Sequence, residues 1–193
     1  IYFLTTVAMF YVATSRLGLS LAGIGAGAAC AVIAYKTMPY VQRRLQSFLD
    51  PWSDPMETGY QIVQALIAIG SGGLFGMGLG LGMPRNIPLY HSDFIFAAIC
   101  EEFGLIFAVC LLIVYALIFM LALTIAMNAR TSFHSLVAFG IAFMFALQAL
   151  IIVGGNIRLI PLTGVTLPLV SAGGSSIVGT MASLGLLIGI SSL

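Results

Sequence analysis

FIFAAICEEFGLIFAVCLLIVYALIFMLALTIA, residues 94–126, is the longest apolar run in the chain. A helix needs about 20 mostly apolar residues to cross a bilayer, so this run is long enough to span and must tilt or extend past the hydrocarbon layer. It nevertheless carries two adjacent acids, Glu101 and Glu102, and the residues just before it add His91 and Asp93. Ionisable groups at such density need a reason in a chain that is 61% hydrophobic and only 7% charged.

That composition decides the class. Soluble domains carry about 25% charged residues, and this chain lacks the polar surface to be one. A net charge of +1 gives no support for a nucleic-acid partner. Cys30, Cys100 and Cys110 sit in apolar runs without metal-ligand spacing and read as small hydrophobes. Further apolar runs cover 2–14, 18–37, 134–154 and 174–192. The predicted fold is an all-α polytopic transmembrane helix bundle. The chain opens on Ile1 inside an apolar run and stops at Leu193 at the end of another, so the expectation is the C-terminal half of a longer protein.

Residues 38–93 form one large loop between spans. It holds five of the seven prolines, four of the six acids and the only Trp, a density of breakers that argues against a continuous span. Within it, 59–70 is too short to cross a membrane and fits an interfacial or re-entrant helix. Residues 70–82, GSGGLFGMGLGLG, contain seven glycines. No Gly-Lys-Ser/Thr follows, which removes a phosphate-loop reading. Such backbone cannot face lipid, so it lies in water, in the interface or against protein. It reads either as a flexible surface loop or as a loop that must move or approach a ligand closely.

Two spans separate the 38–93 loop from the 155–173 connection, so both face one side. Asp93 and the segment NIRLIPLTGVTLPLVSAGGSS, 156–176, are therefore expected at one membrane surface. Lys36, Arg43, Arg44, Arg85 and Arg158 lie on that side, and Arg16 and Arg130 on the other. By the positive-inside rule the Asp93 side would be cytoplasmic.

Two readings of the acids stay open. Ser92 or Asp93 suits the N-cap of the helix beginning FIFAAI. Glu101 and Glu102 sit roughly 12–13 Å further along that helix, offset from Asp93 by about 80° and 180°. One can share a cavity with Asp93 while the other pairs elsewhere in the bundle. They act as buried structural acids, or as a proton path, an ion site or support for Asp93. His91 either orients Asp93 or sits at the interface. His134 reads as a helix-end residue.

Three stretches in order, DPWSDPMETGYQIVQALIAIGSGGLFGMGLGLG, HSDFIFAAICEEFG and PLTGVTLPLVSAGGSS, resemble the SEDS family of bacterial shape, elongation, division and sporulation proteins. The resemblance runs from about residue 36 to 193. It implies a peptidoglycan glycosyltransferase that polymerises lipid II beside a class B penicillin-binding protein. It implies an extracytoplasmic Asp93, against the charge count. Asp93 matches the proposed catalytic acid, Glu101 and Glu102 the acid pair, and Pro168, Ser171, Gly173, Gly174, Ser175 and Ser176 the Gly-Gly-Ser-Ser segment. Two departures show: Ser92 stands for a usual Thr, and Ala172 for a usual Tyr.

The implied reaction is attack of a sugar hydroxyl on an anomeric carbon bearing a lipid pyrophosphate, with inversion. Asp93 would serve as the base. Arg43, Arg44, Arg85, Arg158 or Lys36, or a divalent cation, would hold the pyrophosphate. Two other classes compete: a lipid II flippase, with Glu101 and Glu102 as coupling residues, and a scaffold for cell-wall enzymes.

Overall fold

The computed structural model describes residues 1–52, 56 and 59–192, and for Arg85 the backbone alone. It is built of helices: α1 (Tyr2–Thr14), α2 (Leu17–Thr37), α3 (Pro39–Leu49), α4 (Tyr60–Gly72), α5 (Ile95–Asn128), α6 (Ser132–Asn156) and α7 (Gly174–Ser191), with a 3₁₀ turn at Pro84–Asn86. α2, α5, α6 and α7 are long and apolar enough to cross a membrane, whereas α1 is shorter.

α5 packs chiefly on α6 and on α4. Where helices meet, many of the buried residues are small, with Ala108, Ala122 and Ala126 on α5 and Ala138, Ala142 and Ala149 on α6 packed among larger ones such as Phe96, Tyr115 and Phe145. Helices in lipid gain no hydrophobic drive toward one another, so close approach through small side chains supplies the packing instead. The outward faces are large and apolar, with Ile113, Leu117, Leu121, Leu150 and Ile188 all exposed. Bilayer tails cover such a surface without penalty.

α3 is the element the sequence reading did not single out. Pro39 starts it, Met38 in extended conformation precedes it, and its residues PYVQRRLQSFL place Arg43 and Arg44, with Gln42, Gln46 and Ser47, on a short amphipathic helix. Its length and polarity fit an interfacial helix rather than a span.

α5 is not continuous. Gly104 has φ 83° and ψ 174°, far from helical values. In an unbroken helix the Leu105 and Ile106 amides would donate to the carbonyls of Glu101 and Glu102. Here they donate to Gly73 and Leu74 (3.0 and 3.2 Å), and the Glu101 and Glu102 carbonyls accept instead from Met77 and Gly78 (2.9 and 3.0 Å). The glycine segment is thus spliced into the helix break by four exchanged backbone hydrogen bonds. A Cβ on Gly76 would lie 2.3 Å from the Glu102 carbonyl oxygen, one on Gly72 2.0 Å from that of Cys100, and one on Gly104 2.4 Å from the Gly76 nitrogen. Only glycines permit this approach. Through 72–78 the run is docked on protein backbone, while most of its residues stay exposed.

Candidate functional site

The segment leading into α5 turns tightly. Leu89 has φ 58°, and its carbonyl accepts from the amides of Ser92, Asp93 and Phe94. Phe94 takes the cap position and no side chain caps α5. The expected N-cap role for Ser92 or Asp93 is therefore not the one they play. The turn brings three amides of its own onto the Leu89 carbonyl, and the Asp93 carboxylate is left for other work.

Three consecutive carbonyls of this segment are held by the last residue of α6 and the connection that follows it. The His91 carbonyl accepts from the Ala172 amide at 2.8 Å. The Ser92 carbonyl accepts from Ser171 Oγ at 2.7 Å, and the Asp93 carbonyl from Asn156 Nδ2 at 3.0 Å. Ser171 and Asn156 are each 1% exposed. Each is itself fixed: Ser171 Oγ accepts the Leu167 amide, and Asn156 takes the Ala97 amide on Oδ1 while its Nδ2 also reaches the Ile152 carbonyl. The Tyr115 hydroxyl donates to the Pro168 carbonyl, anchoring that connection to α5. The two segments that span counting put on one surface are in direct contact.

The Asp93 side chain, half-buried, lies over Gly164. A Cβ on Gly164 would be 3.4 Å from Asp93 Oδ2 and 3.9 Å from Arg44 Nη2. Carboxylate and guanidinium therefore flank one glycine, whose φ of +68° itself favours the absence of a side chain. Leu89, Arg158 and Leu169 also hold positive φ values of 58°, 58° and 66°. Backbone of this kind in non-glycine residues clusters where a site over-determines geometry.

Arg44 is oriented by two contacts. Its Nη1 donates to the Leu162 carbonyl at 2.8 Å, and its guanidinium sits 4.5 Å from the centre of the Tyr40 ring. A cavity of about 300 Å³, lined by Tyr40, Arg43, Arg44, Ser47, Gln61 and Leu162, opens on one side. On the other lies an apolar groove of about 480 Å³, lined by Val32, Tyr35, Val41, Leu45 and Pro161. Tyr40, Arg44 and Leu162 border both.

The remaining expected site residues distribute as follows. Arg158 donates through Nε and Nη2 to the carbonyls of Phe48 and Leu49 (2.9 and 2.7 Å), so it clamps the C-terminal end of α3. Arg43 is exposed at the rim, and Lys36 is exposed in the last turn of α2. Arg85 lies on the 3₁₀ turn, and its side chain is outside the described residues. The His91 ring is exposed and packs edge-on against Tyr90. Gly173 precedes α7 as its N-cap, Gly174 and Ser175 are exposed in its first turn, and Ser176 Oγ lies 2.7 Å from Thr166 Oγ1.

Glu101 and Glu102 do not divide between Asp93 and the bundle. Both turn to the end of the glycine run and the residue just after it: Glu101 Oε1 accepts the Met83 amide at 3.0 Å and Glu102 Oε1 the Gly80 amide at 3.2 Å. The splice brings those amides to them, because the chain continues from the docked 73–78 segment past the two acids. The part of α5 beyond the break at Gly104, 105–128, is about 36 Å long, enough to cross a hydrocarbon layer of about 30 Å by itself. The acid pair belongs to the stub before the break.

A divalent cation would meet one carboxylate here. Among the described residues no three His, Cys, Asp or Glu converge to hold a metal ion. The described residues around Asp93 offer a divalent cation that single carboxylate.

Sequence reading passed over Asn156, Gly164 and Tyr115. A lone carboxamide at the end of an apolar run was the available signal for Asn156. Gly164 and Tyr115 gave none, since a single glycine in a loop and one Tyr in a span have many ordinary uses.

A family model for the FtsW/RodA/SpoVE cell cycle proteins matches residues 1–193. Similar curated proteins include the peptidoglycan glycosyltransferase RodA of Mycobacterium tuberculosis, 43% identical over 94% of this chain and 39% of that protein. The probable peptidoglycan glycosyltransferase FtsW of Aliivibrio salmonicida is 40% identical over 98% of this chain and 49% of that protein. Stage V sporulation protein E of Bacillus subtilis is 38% identical over 97% of this chain and 52% of that protein. The chain thus spans about half or less of the length of these relatives. Among solved structures, a chain of a peptidoglycan synthase complex that coordinates polymerization and crosslinking superposes with a TM-score of 0.75 at 28% identity, covering 95% of this chain and 52% of that one.

Proposed function

The chain belongs to the FtsW/RodA/SpoVE family of cell cycle proteins, and from that membership and the clamped Asp93 we propose that it carries the catalytic portion of a peptidoglycan glycosyltransferase that polymerises lipid II. The observation that carries this reading is the triple clamp on the carbonyls of His91, Ser92 and Asp93, which presents one carboxylate beside one guanidinium. Asp93 faces the extracytoplasmic side in this reading, where lipid-linked substrate is consumed, and a class B penicillin-binding protein crosslinks the product.

Asp93 acts as general base on the acceptor sugar hydroxyl. The oxygen attacks the anomeric carbon of the donor, the bond to the lipid pyrophosphate breaks, and a single displacement inverts that carbon. The pyrophosphate leaves as an anion and needs a fixed positive charge more than a proton. Arg44 supplies it, held by Leu162 and Tyr40 with Nη2 directed to the Asp93 side. The polar cavity beside Arg44 suits sugar and peptide, and the apolar groove across from it suits the isoprenoid tail. Arg43 adds charge at the rim. Arg158 serves by keeping α3 in place.

The test is polymerisation of purified lipid II by the full-length protein with its penicillin-binding partner, the partner's own polymerase activity excluded. Asp93→Asn is compared with wild type at matched folding and complex formation. Loss of about 10²–10⁴-fold is expected for removal of a general base. Equal polymer from both proteins removes Asp93 from the chemistry.

A further inference from the structure

Glu101 is 6% exposed, and only one of its oxygens is used. Oε1 accepts the Met83 amide, and Oε2 is buried with no hydrogen-bond partner among the described residues. A buried carboxylate oxygen without a partner is costly, so it marks a place where something else belongs. Glu101 lines a cavity of about 240 Å³ between α4, the 3₁₀ turn and α5, together with Gln64, Ser71 and Asn86. Each of those three offers an unspent oxygen. Ser71 Oγ donates to the Ala68 carbonyl and keeps its lone pairs, Asn86 donates through Nδ2 to the Met83 sulfur, and Gln64 makes no side-chain hydrogen bond among the described residues.

We propose that this cavity binds a monovalent hard cation of the sodium class, coordinated by Glu101 Oε2 and the side-chain oxygens of Gln64, Ser71 and Asn86. The donor set selects the ion. It is all oxygen, which suits a hard cation, and it lacks the thiolate or imidazole that transition metals prefer. It carries one formal negative charge, which one monovalent ion neutralises. The ion would join α4, the 3₁₀ turn and the stub of α5 at the point where Glu101 and Glu102 hold the glycine segment. Its role is to fix that segment, and Asp93 and Arg44 are not its ligands. The site is independent of the catalytic reading above.

Backbone hydrogen exchange at Met77, Gly78 and Met83 reports the docking directly. The protein is placed in lipid nanodiscs and exchanged in sodium chloride and in choline chloride at equal ionic strength. Sodium is expected to slow exchange at these amides at least several-fold and to raise the thermal midpoint. Both effects should vanish in Glu101→Gln and weaken in Asn86→Ala, which keeps the carboxylate. If exchange and midpoint of the wild-type protein are equal in the two salts, the proposal is wrong, whatever the variants do. If they respond only to pH, Glu101 is a protonated acid and the cation site is overturned.

Discussion

Ser171 Oγ donates to the Ser92 carbonyl at 2.7 Å while accepting the Leu167 amide at 2.8 Å, so one buried hydroxyl ties the α6–α7 connection to the segment that carries Asp93. Ser171 and Leu167 are each 1% exposed, and Ser92 is half-buried. Ser171→Ala leaves the buried Leu167 amide unpaired, a cost of about 1–3 kcal/mol when unrelieved, and frees the half-buried Ser92 carbonyl. The expected result is a lower thermal midpoint and polymerase activity reduced at least tenfold, measured on the full-length protein. Ser171→Thr, which restores the hydroxyl, should recover more stability than activity.

Asn156 makes three side-chain bonds at the junction of α5 and α6, one of them to the Asp93 carbonyl. Asn156→Asp removes the amide donor and places an acceptor against the Asp93 and Ile152 carbonyls. The variant should lose activity by about 10²-fold or more, since small misplacement of a catalytic group is expensive in rate. Measuring kcat and KM separately distinguishes this from simple loss of protein: kcat should carry most of the fall.

Gly164→Ala tests the shared floor under Asp93 and Arg44. The new methyl would stand 3.4 Å from the carboxylate oxygen and would force φ +68° on a residue that resists it. Activity should fall while α5, α6 and α7 keep their helix content by circular dichroism. Wild-type turnover in this variant would show that the approach of Asp93 to residue 164 is not used in catalysis.

Arg44 and Arg158 are expected to part company. Arg44→Ala should raise KM and lower kcat with little change in the thermal midpoint, because its contacts are to one carbonyl and the face of an exposed ring. Arg158→Ala releases two carbonyls at the end of α3 and should lower the midpoint first. Lysine at 44 cannot reproduce the guanidinium's geometry and should rescue only in part.

Gly104→Ala and Gly76→Ala should each prevent stable folding. The added carbon would overlap backbone atoms at 2.3–2.4 Å, and no rotamer can relieve a clash with backbone. The yield of monodisperse protein after detergent extraction measures it, with Gly80→Ala as a contrast that has the same positive φ but no neighbour within 4 Å.

The apolar runs were legible in the sequence because hydropathy acts along the chain. Counting spans then brought Asp93 to the surface shared with residues 156–176, where Asn156, Gly164, Ser171 and Ala172 meet it. The splice at Gly104 was not legible. It depends on Gly73, Leu74, Met77 and Gly78 pairing with a stretch far along the chain, and a single sequence does not state which glycine faces which backbone. The partners of Glu101 and Glu102 were hidden with it: helical periodicity gives their angles relative to Asp93, but not that the amides of Met83 and Gly80 reach their carboxylates. The role of Arg158 was hidden for a similar reason, since its targets are carbonyls and carbonyls have no sequence signature.

The exchange at Gly104 also sets an order of biosynthesis. The ribosome delivers the carbonyls of Gly73 and Leu74 and the amides of Met77 and Gly78 before residues 101–106 exist. Until those arrive, the glycine segment is hydrated and open. The joint closes late, once the downstream half displaces that water. A nascent chain stalled between the two halves presents an exposed, small-residue segment of the kind proteases nick most readily.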